Sequence, residues 1–171
     1  MFRPKIKEEK TSQRLVPILT AETAETRTAL SGQEILLPVL PFRVGREDRH
    51  LSAIAATYLD PKDRRNPDRQ ANNDLYLPEA GGQKYISRQH FLIQRDSKGR
   101  YYVLDRGSTL GTLVGGKRIG GGKKWGKIDL NSGDLIIPGG RKSPFQFRFQ
   151  LRPAQSMPFP DPATLEETAP D

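Results

Sequence analysis

Apolar and polar residues alternate with a period of two along much of this chain. The clearest run is at 145–152, where Phe145, Phe147, Phe149 and Leu151 alternate with Gln146, Arg148, Gln150 and Arg152. Successive side chains of a strand point to opposite faces, so this run predicts a strand buried on one side. Similar runs predict strands at 14–20, 34–40, 42–45, 73–77, 85–94, 101–105, 113–114, 118–119, 127–130 and 134–137. Pro17 cannot donate a ladder hydrogen bond, which points to an edge position for the first of these. Pro38 and Pro41 mark a second edge or bend. In the run 42–45, Phe42 and Val44 share one face and Arg43 takes the other.

The breaks between runs carry turn chemistry. Asp96-Ser97-Lys98-Gly99, Gly115-Gly116 and Asn131-Ser132-Gly133 each read as a hairpin turn. Residues 21–31 have no apolar period. They allow a helical turn, but the strand-rich surroundings favour a loop with a short strand at 27–30. Leu51, Ile54, Ala55 and Tyr58 fall on one side of a possible two-turn helix within an irregular stretch, 47–72. No long helical period occurs elsewhere. Many short strands with regular turns predict an all-β protein, specifically an antiparallel β-sandwich.

Composition supports that picture and sets the limits. The 171 residues suit one domain with tails. Sixteen Gly and 14 Pro supply the turns, while 35% hydrophobic residues and a mean hydropathy of -0.67 allow only a modest core. The expected organisation is a flexible segment at 1–13, a folded domain at 14–152 holding a partly ordered insertion at 47–72, and a disordered Pro-rich acidic tail at 153–171. With no Cys and two His, there is no thiolate metal site or disulfide framework, and no metal or cofactor is expected. No apolar run reaches the length of a membrane span, and the charged start lacks an apolar leader core, so a cytoplasmic protein with no membrane partner is expected. Net charge is +8 with a pI near 9.9. From Pro153 onward lie four acids and no bases, so +12 rests on the remainder. Such a body favours anionic partners without choosing among them.

Three stretches then stand out, each at the end of a strand-like run. They are Gly45-Arg46, Ser87-Arg88-Gln89-His90, and the segment 105–112 with Asp105, Gly107, Ser108, Thr109, Leu110, Gly111 and Thr112. Two guanidinium groups, hydroxyls and a glycine-rich backbone make an inventory for one oxyanion, most simply a phosphate. In order, and followed by Gly116-Lys117-Arg118-Ile119 and by Leu130 through Gly133-Asp134 to Ile136, these stretches resemble the forkhead-associated (FHA) domain, a phosphothreonine-recognition module. The resemblance covers residues 14–152.

The resemblance implies an FHA/SMAD-type sandwich of about eleven strands. It also implies that Arg46, Ser87, Arg88 and Thr109 hold a phosphate. His90 would brace the binding loops, Ser108 would be mainly structural, and Gly107 and Gly111 would shape the turn. Tyr85 lies where some family members select a ligand residue near the phosphothreonine. Leu110 departs from the pattern, since the family usually has an asparagine there that grips the peptide backbone. Gly115 replaces a second customary asparagine, and Asn72 or Asn73 could supply the missing amide. A neutral hydrogen bond contributes about 0.5–1.5 kcal/mol, so losing one or two is expected to weaken peptide binding about tens-fold without abolishing it.

The expected function is thus a non-enzymatic module, a monomer or weak dimer, that binds a phosphothreonine-containing protein or peptide. Two rivals remain open. One is a degenerate FHA domain that takes an unphosphorylated protein or oligomerises. The other is a nucleic-acid binder using Lys117, Arg118, Lys123, Lys124 and Lys127 around Trp125, although nucleic acid is not the expected partner. Gly111 to Lys117 and Gly121 to Lys127 imitate a nucleotide-binding loop, but neither continues into Ser or Thr and a helix, so both are set aside. Thr23, Thr26, Thr164 and Thr168 lie in acidic surroundings and are candidate phosphorylated ligands in cis.

Overall fold

A computed structural model describes residues 14–46, 73–79 and 84–154. The expected segment 1–13, the insertion at 47–72 and all of the expected tail beyond Ala154, including Thr164 and Thr168, lie outside the described residues. The elements in order are β1 (Leu15–Ala21), α1 (Ala24–Leu30), β2 (Glu34–Leu36), β3 (Phe42–Arg46), β4 (Leu75–Leu77), β5 (Phe91–Arg95), β6 (Tyr101–Asp105), β7 (Thr112–Val114), β8 (Lys117–Ile119), β9 (Gly126–Leu130), β10 (Leu135–Pro138) and β11 (Phe147–Pro153). They form a two-sheet sandwich. One sheet runs β2-β1-β11-β10-β7-β8 and the other β4-β3-β5-β6-β9. All pairs are antiparallel except β3 with β4, which is parallel.

The alternation read from the sequence is what closes the core. Phe147 and Phe149 project inward from β11, and each meets an aromatic ring of the opposite sheet. Phe91 of β5 stands edge-on to Phe147 with centroids 6.4 Å apart, and Tyr101 of β6 lies 5.2 Å from Phe149. Leu19, Val44, Leu77, Ile93, Val103 and Ile136 fill the space around these rings and are fully excluded from solvent. Edge-to-face rings add modestly to the much larger gain from removing their area from water.

Four expectations need correction. Residues 27–30 belong to helix α1, not to a strand. Thr23 caps it by accepting from the Thr26 amide, and Ser31 ends it at φ 56. The buried Thr26 hydroxyl accepts from the Gln146 amide at 2.8 Å, and Thr23 donates to the Pro144 carbonyl at 2.6 Å. Capping and buried hydroxyls specify this helix, which is why no apolar stripe announces it. The same bonds engage Thr23 and Thr26 as structural groups, not as accessible acceptors of phosphate.

Second, β1 is an interior strand between β2 and β11. Pro17 is tolerated because its carbonyl already faces the Leu37 amide, just beyond the last β2 pair, so the missing N–H also points to where that ladder stops. Third, Asn131-Ser132-Gly133 does not close a hairpin. β9 pairs with β6 and β10 with β7 and β11, so this turn carries the chain from one sheet to the other. The Asp134 carboxylate accepts from the Asn131 amide and shapes it. Fourth, residues 84–90 form a loop; only Phe91–Arg95 is strand.

Phe147 is one of the two β11 rings on which the sheets meet. Phe147→Ala should cost about 3–5 kcal/mol of unfolding free energy, read from urea denaturation followed by circular dichroism. A loss under about 1 kcal/mol would show that the rings do not close the core.

Candidate functional site

Three loops converge at one end of the sandwich, and their backbones are tied before any side chain reaches solvent. The Arg46 amide, at the last position of β3, donates to the Ser87 carbonyl at 2.9 Å, and the His90 amide donates to Val44 at 3.1 Å. A methyl group on Gly45 would lie 2.1 Å from the Arg88 carbonyl and 2.5 Å from the Asn73 amide nitrogen. Only glycine therefore lets the 84–90 loop close on β3.

The second tie is His90. Its ring is fully buried. Nδ1 accepts from the Ser87 amide at 3.0 Å, and Nε2 lies 3.1 Å from the Gly111 carbonyl. A backbone N–H can only donate and a carbonyl can only accept, so this pair requires the neutral ring with its proton on Nε2. Burial pushes the imidazole pKa below its ordinary value, against smaller upward pulls from the Gly111 carbonyl and the Asp105 charge. The Gly111 carbonyl also accepts from the Gly139 amide at 2.9 Å, which brings the end of β10 into the same knot. Tyr85, half-buried against the core, crosses Gly139 so closely that a methyl there would meet its carbonyl at 2.4 Å.

The third tie is internal to the 105–112 loop. Asp105, buried at the end of β6, accepts from the Ser108 amide at 2.8 Å, the Ser108 hydroxyl at 2.7 Å and the Thr112 hydroxyl at 2.8 Å. The buried Ser108 hydroxyl in turn accepts from the Gly111 amide at 2.8 Å. Gly107 and Gly111 take φ of +75° and +78°, which favours glycine at both. Ser108 is thus consumed by the scaffold, and Thr109 beside it is left exposed.

On this frame Ser87 and Thr109 come together. The Thr109 amide donates to Ser87 Oγ at 3.0 Å, and the two hydroxyl oxygens are 3.5 Å apart. Arg88 is exposed, while its carbonyl is held by the Asn73 side chain at 2.7 Å. Arg46 is more enclosed: its side chain is 17% exposed, and Nη1 contacts Glu79 Oε1 at 2.5 Å. Among the described residues its buried Nε has no acceptor.

Glu79 and Arg106 were not singled out in the sequence, and Asn73, Arg118 and the basic loop take places that the sequence did not assign to them. Glu79 reaches Arg46 because β3 and β4 run parallel with Arg46 opposite Leu77, a long-range pairing that no local pattern shows. Asn73 is buried and bonded to both the Arg88 carbonyl and Arg106 Nη1, so it is a brace and not the missing peptide-gripping amide. Asn72 lies outside the described residues. Arg118 of β8 donates to the Leu110 carbonyl. The Gly122 and Lys123 amides donate to the Thr109 and Ser108 carbonyls at 2.9 and 3.1 Å, which docks the basic loop against the same turn. Trp125 is 66% exposed on that loop and lies over Gly107. Among the described residues, no cluster of His, Asp or Glu could hold a metal ion, and no helix is long and apolar enough to cross a membrane.

Residues 64–139 match the family model of the FHA domain. The chain carries an FHA domain. The matched span includes the Ser87–His90 loop, the 105–112 loop and β7 to β10, while Arg46 precedes it. FHA domains are protein-interaction modules. No curated protein matches the sequence. Among solved structures, the yeast splicing factor Pml1 is similar at 22% identity and a TM-score of 0.55, covering 84% of each chain. The kinase-interacting FHA domain of kinase-associated protein phosphatase from Arabidopsis is 21% identical with a TM-score of 0.52, covering 81% of this chain and 95% of that one. Both share the fold of the present chain. Mycobacterium tuberculosis EmbR, solved with a low-affinity phosphopeptide, is 23% identical with a TM-score of 0.49, and the alignment covers 82% of this chain but 26% of EmbR. The present chain therefore spans about a quarter of that protein's length.

The neutral, buried His90 sets a pH dependence. An unfolded histidine takes up a proton near pH 6.5, and the folded ring refuses it until lower pH. The stability of the knot is thus complete above about pH 6.5 and falls as pH drops below that value. Urea unfolding at pH 7.5 and at pH 5.5 should show this loss in the wild type. His90→Gln should be less stable at the higher pH and lose less on acidification. His50 is present in both proteins and does not affect the comparison. Equal losses in the two proteins would contradict the assignment.

Proposed function

We propose that this FHA domain is a non-enzymatic module that binds a phosphothreonine-containing segment of a partner protein, with Arg46, Ser87, Arg88 and Thr109 holding the phosphate. The observation that carries the reading is the convergence of Ser87 and Thr109. Two loops that leave different strands bring their hydroxyls 3.5 Å apart, on a frame that uses up the neighbouring hydroxyls and carboxylate. Two hydroxyl donors side by side suit adjacent oxygens of one tetrahedral anion. Arg88 adds an exposed positive charge one residue from Ser87, and Arg46 underlies the same loop. A charge-assisted hydrogen bond contributes about 1.5–3 kcal/mol, so the arginines would supply much of the affinity and the hydroxyls its geometry. His90, Ser108, Gly107 and Gly111 shape the pocket in this reading, and Tyr85 and Leu110 flank it. The preference for phosphothreonine itself is carried by the family resemblance. On this reading the chain acts in the cytoplasm, as a monomer or weak dimer, without a cofactor and with a protein, not nucleic acid, as its partner.

A second reading has its own support. Leu110 is 37% exposed and offers no side-chain hydrogen bond, and Glu79 already engages Arg46. Both features suit a domain that binds an unphosphorylated protein.

Calorimetric titration with a degenerate phosphothreonine peptide library, beside phosphoserine and unphosphorylated libraries, separates the two. The expected result is micromolar binding that requires phosphothreonine and weakens at least about tenfold in Arg46→Ala. Equal binding of phosphorylated and unphosphorylated libraries, unchanged by Arg46→Ala, would establish the second reading.

A further inference from the structure

Arg118 has a placement that the phosphate site does not require. Its side chain crosses from β8 to the 108–111 turn and donates from Nη2 to the Leu110 carbonyl. It lies on two glycines. A methyl on Gly111 would be 2.9 Å from Arg118 Nε, and one on Gly121 would be 3.4 Å from Nη2. Gly111 and Gly121 adopt φ of +78° and +90°, a conformation that already disfavours side chains, so this floor stays open for the guanidinium. The residue is exposed, and among the described residues no carboxylate pairs with it. A guanidinium has five N–H donors, and the Leu110 carbonyl engages one end of the fork.

Arg118 is therefore anchored one residue from the Thr109 hydroxyl, beside Leu110, whose side chain offers no hydrogen bond. Lys123 stands on the docked loop next to it, its amide bonded to Ser108, and adds a further positive charge. We infer that Arg118 is a specificity-determining residue that pairs with an Asp or Glu side chain of the ligand, close in sequence to the phosphothreonine. This rests on the phosphopeptide reading above and refines the class of ligand to acidic phosphopeptides. An extended peptide advances about 3.4 Å per residue, so the carboxylate belongs within about three residues of the phosphothreonine. A pre-anchored fork loses little side-chain freedom on pairing, which favours the upper end of the range for exposed ion pairs.

The test is fluorescence anisotropy with two labelled phosphothreonine peptides, one carrying Asp and the other Ala at all positions within three of the phosphothreonine. The wild type should prefer the Asp peptide about fivefold. Arg118→Ala should erase that preference, the Asp peptide losing about fivefold more affinity than the Ala peptide. Arg118→Gln, which keeps the side chain over the glycine floor but removes the charge, should lose the preference as fully, because the charge is what pairs. A preference that survives both substitutions overturns the inference. So does an equal weakening of both peptides in Arg118→Ala, which would make Arg118 a support for the turn. Arg46→Ala separates the two levels. If it abolishes binding of both peptides while Arg118 variants keep the preference, the phosphate site stands and the role of Arg118 falls. If neither peptide binds the wild type, the phosphopeptide reading falls and the inference with it.

Discussion

The buried imidazole of His90 joins what would otherwise be two independent loops. One ring nitrogen must accept and the other must donate, and only the neutral ring can do both. The Ser87 amide and the Gly111 carbonyl are thereby held at a fixed separation, and Ser87 and Thr109 come together as a result. Desolvation keeps the ring neutral, so the core that buries His90 also sets its protonation. Packing and site geometry are linked through one residue that would not itself touch a ligand.

Around that tie the chain separates scaffold polar groups from surface polar groups. Asp105, Ser108 and Thr112 are buried and satisfy one another. Ser87 and Thr109 are left at the surface by the same loops. Chemically similar hydroxyls thus have opposite fates within two residues, because Ser108 points at the end of β6 while Thr109 points out. A buried polar network stabilises only when every member is paired, and here the carboxylate has three donors around it.

The pocket rim is not neutral ground. Glu79 holds Arg46, while β8 brings Arg118 and the docked basic loop brings Lys123 to the 108–111 turn. The first interaction places a carboxylate against a cation that the proposed phosphate would use; the second places cations near the turn where the family expects an amide.

Short-range pattern determined much of this protein. The alternation of Phe145, Phe147, Phe149 and Leu151 identified the last strand and its buried face, because a period of two is local to the chain. Strand β6, the β5–β6 turn and the β7–β8 turn at Gly115-Gly116 were legible for the same reason. The ordered motifs also indicated the fold and the loops of the candidate site. Tertiary structure decided the rest. The turn at 131–133 has hairpin chemistry, yet it crosses between sheets because β10 finds better partners in β7 and β11. Pro17 sits in an interior strand because its neighbour's ladder ends there. Helix α1 exists through a cap and a buried threonine that pair with residues more than a hundred positions away. Glu79 and Arg118 reach the site through strand pairing and a glycine floor. Each of these depends on which distant backbone lies alongside, and a single sequence records the residues of such a contact without recording the contact.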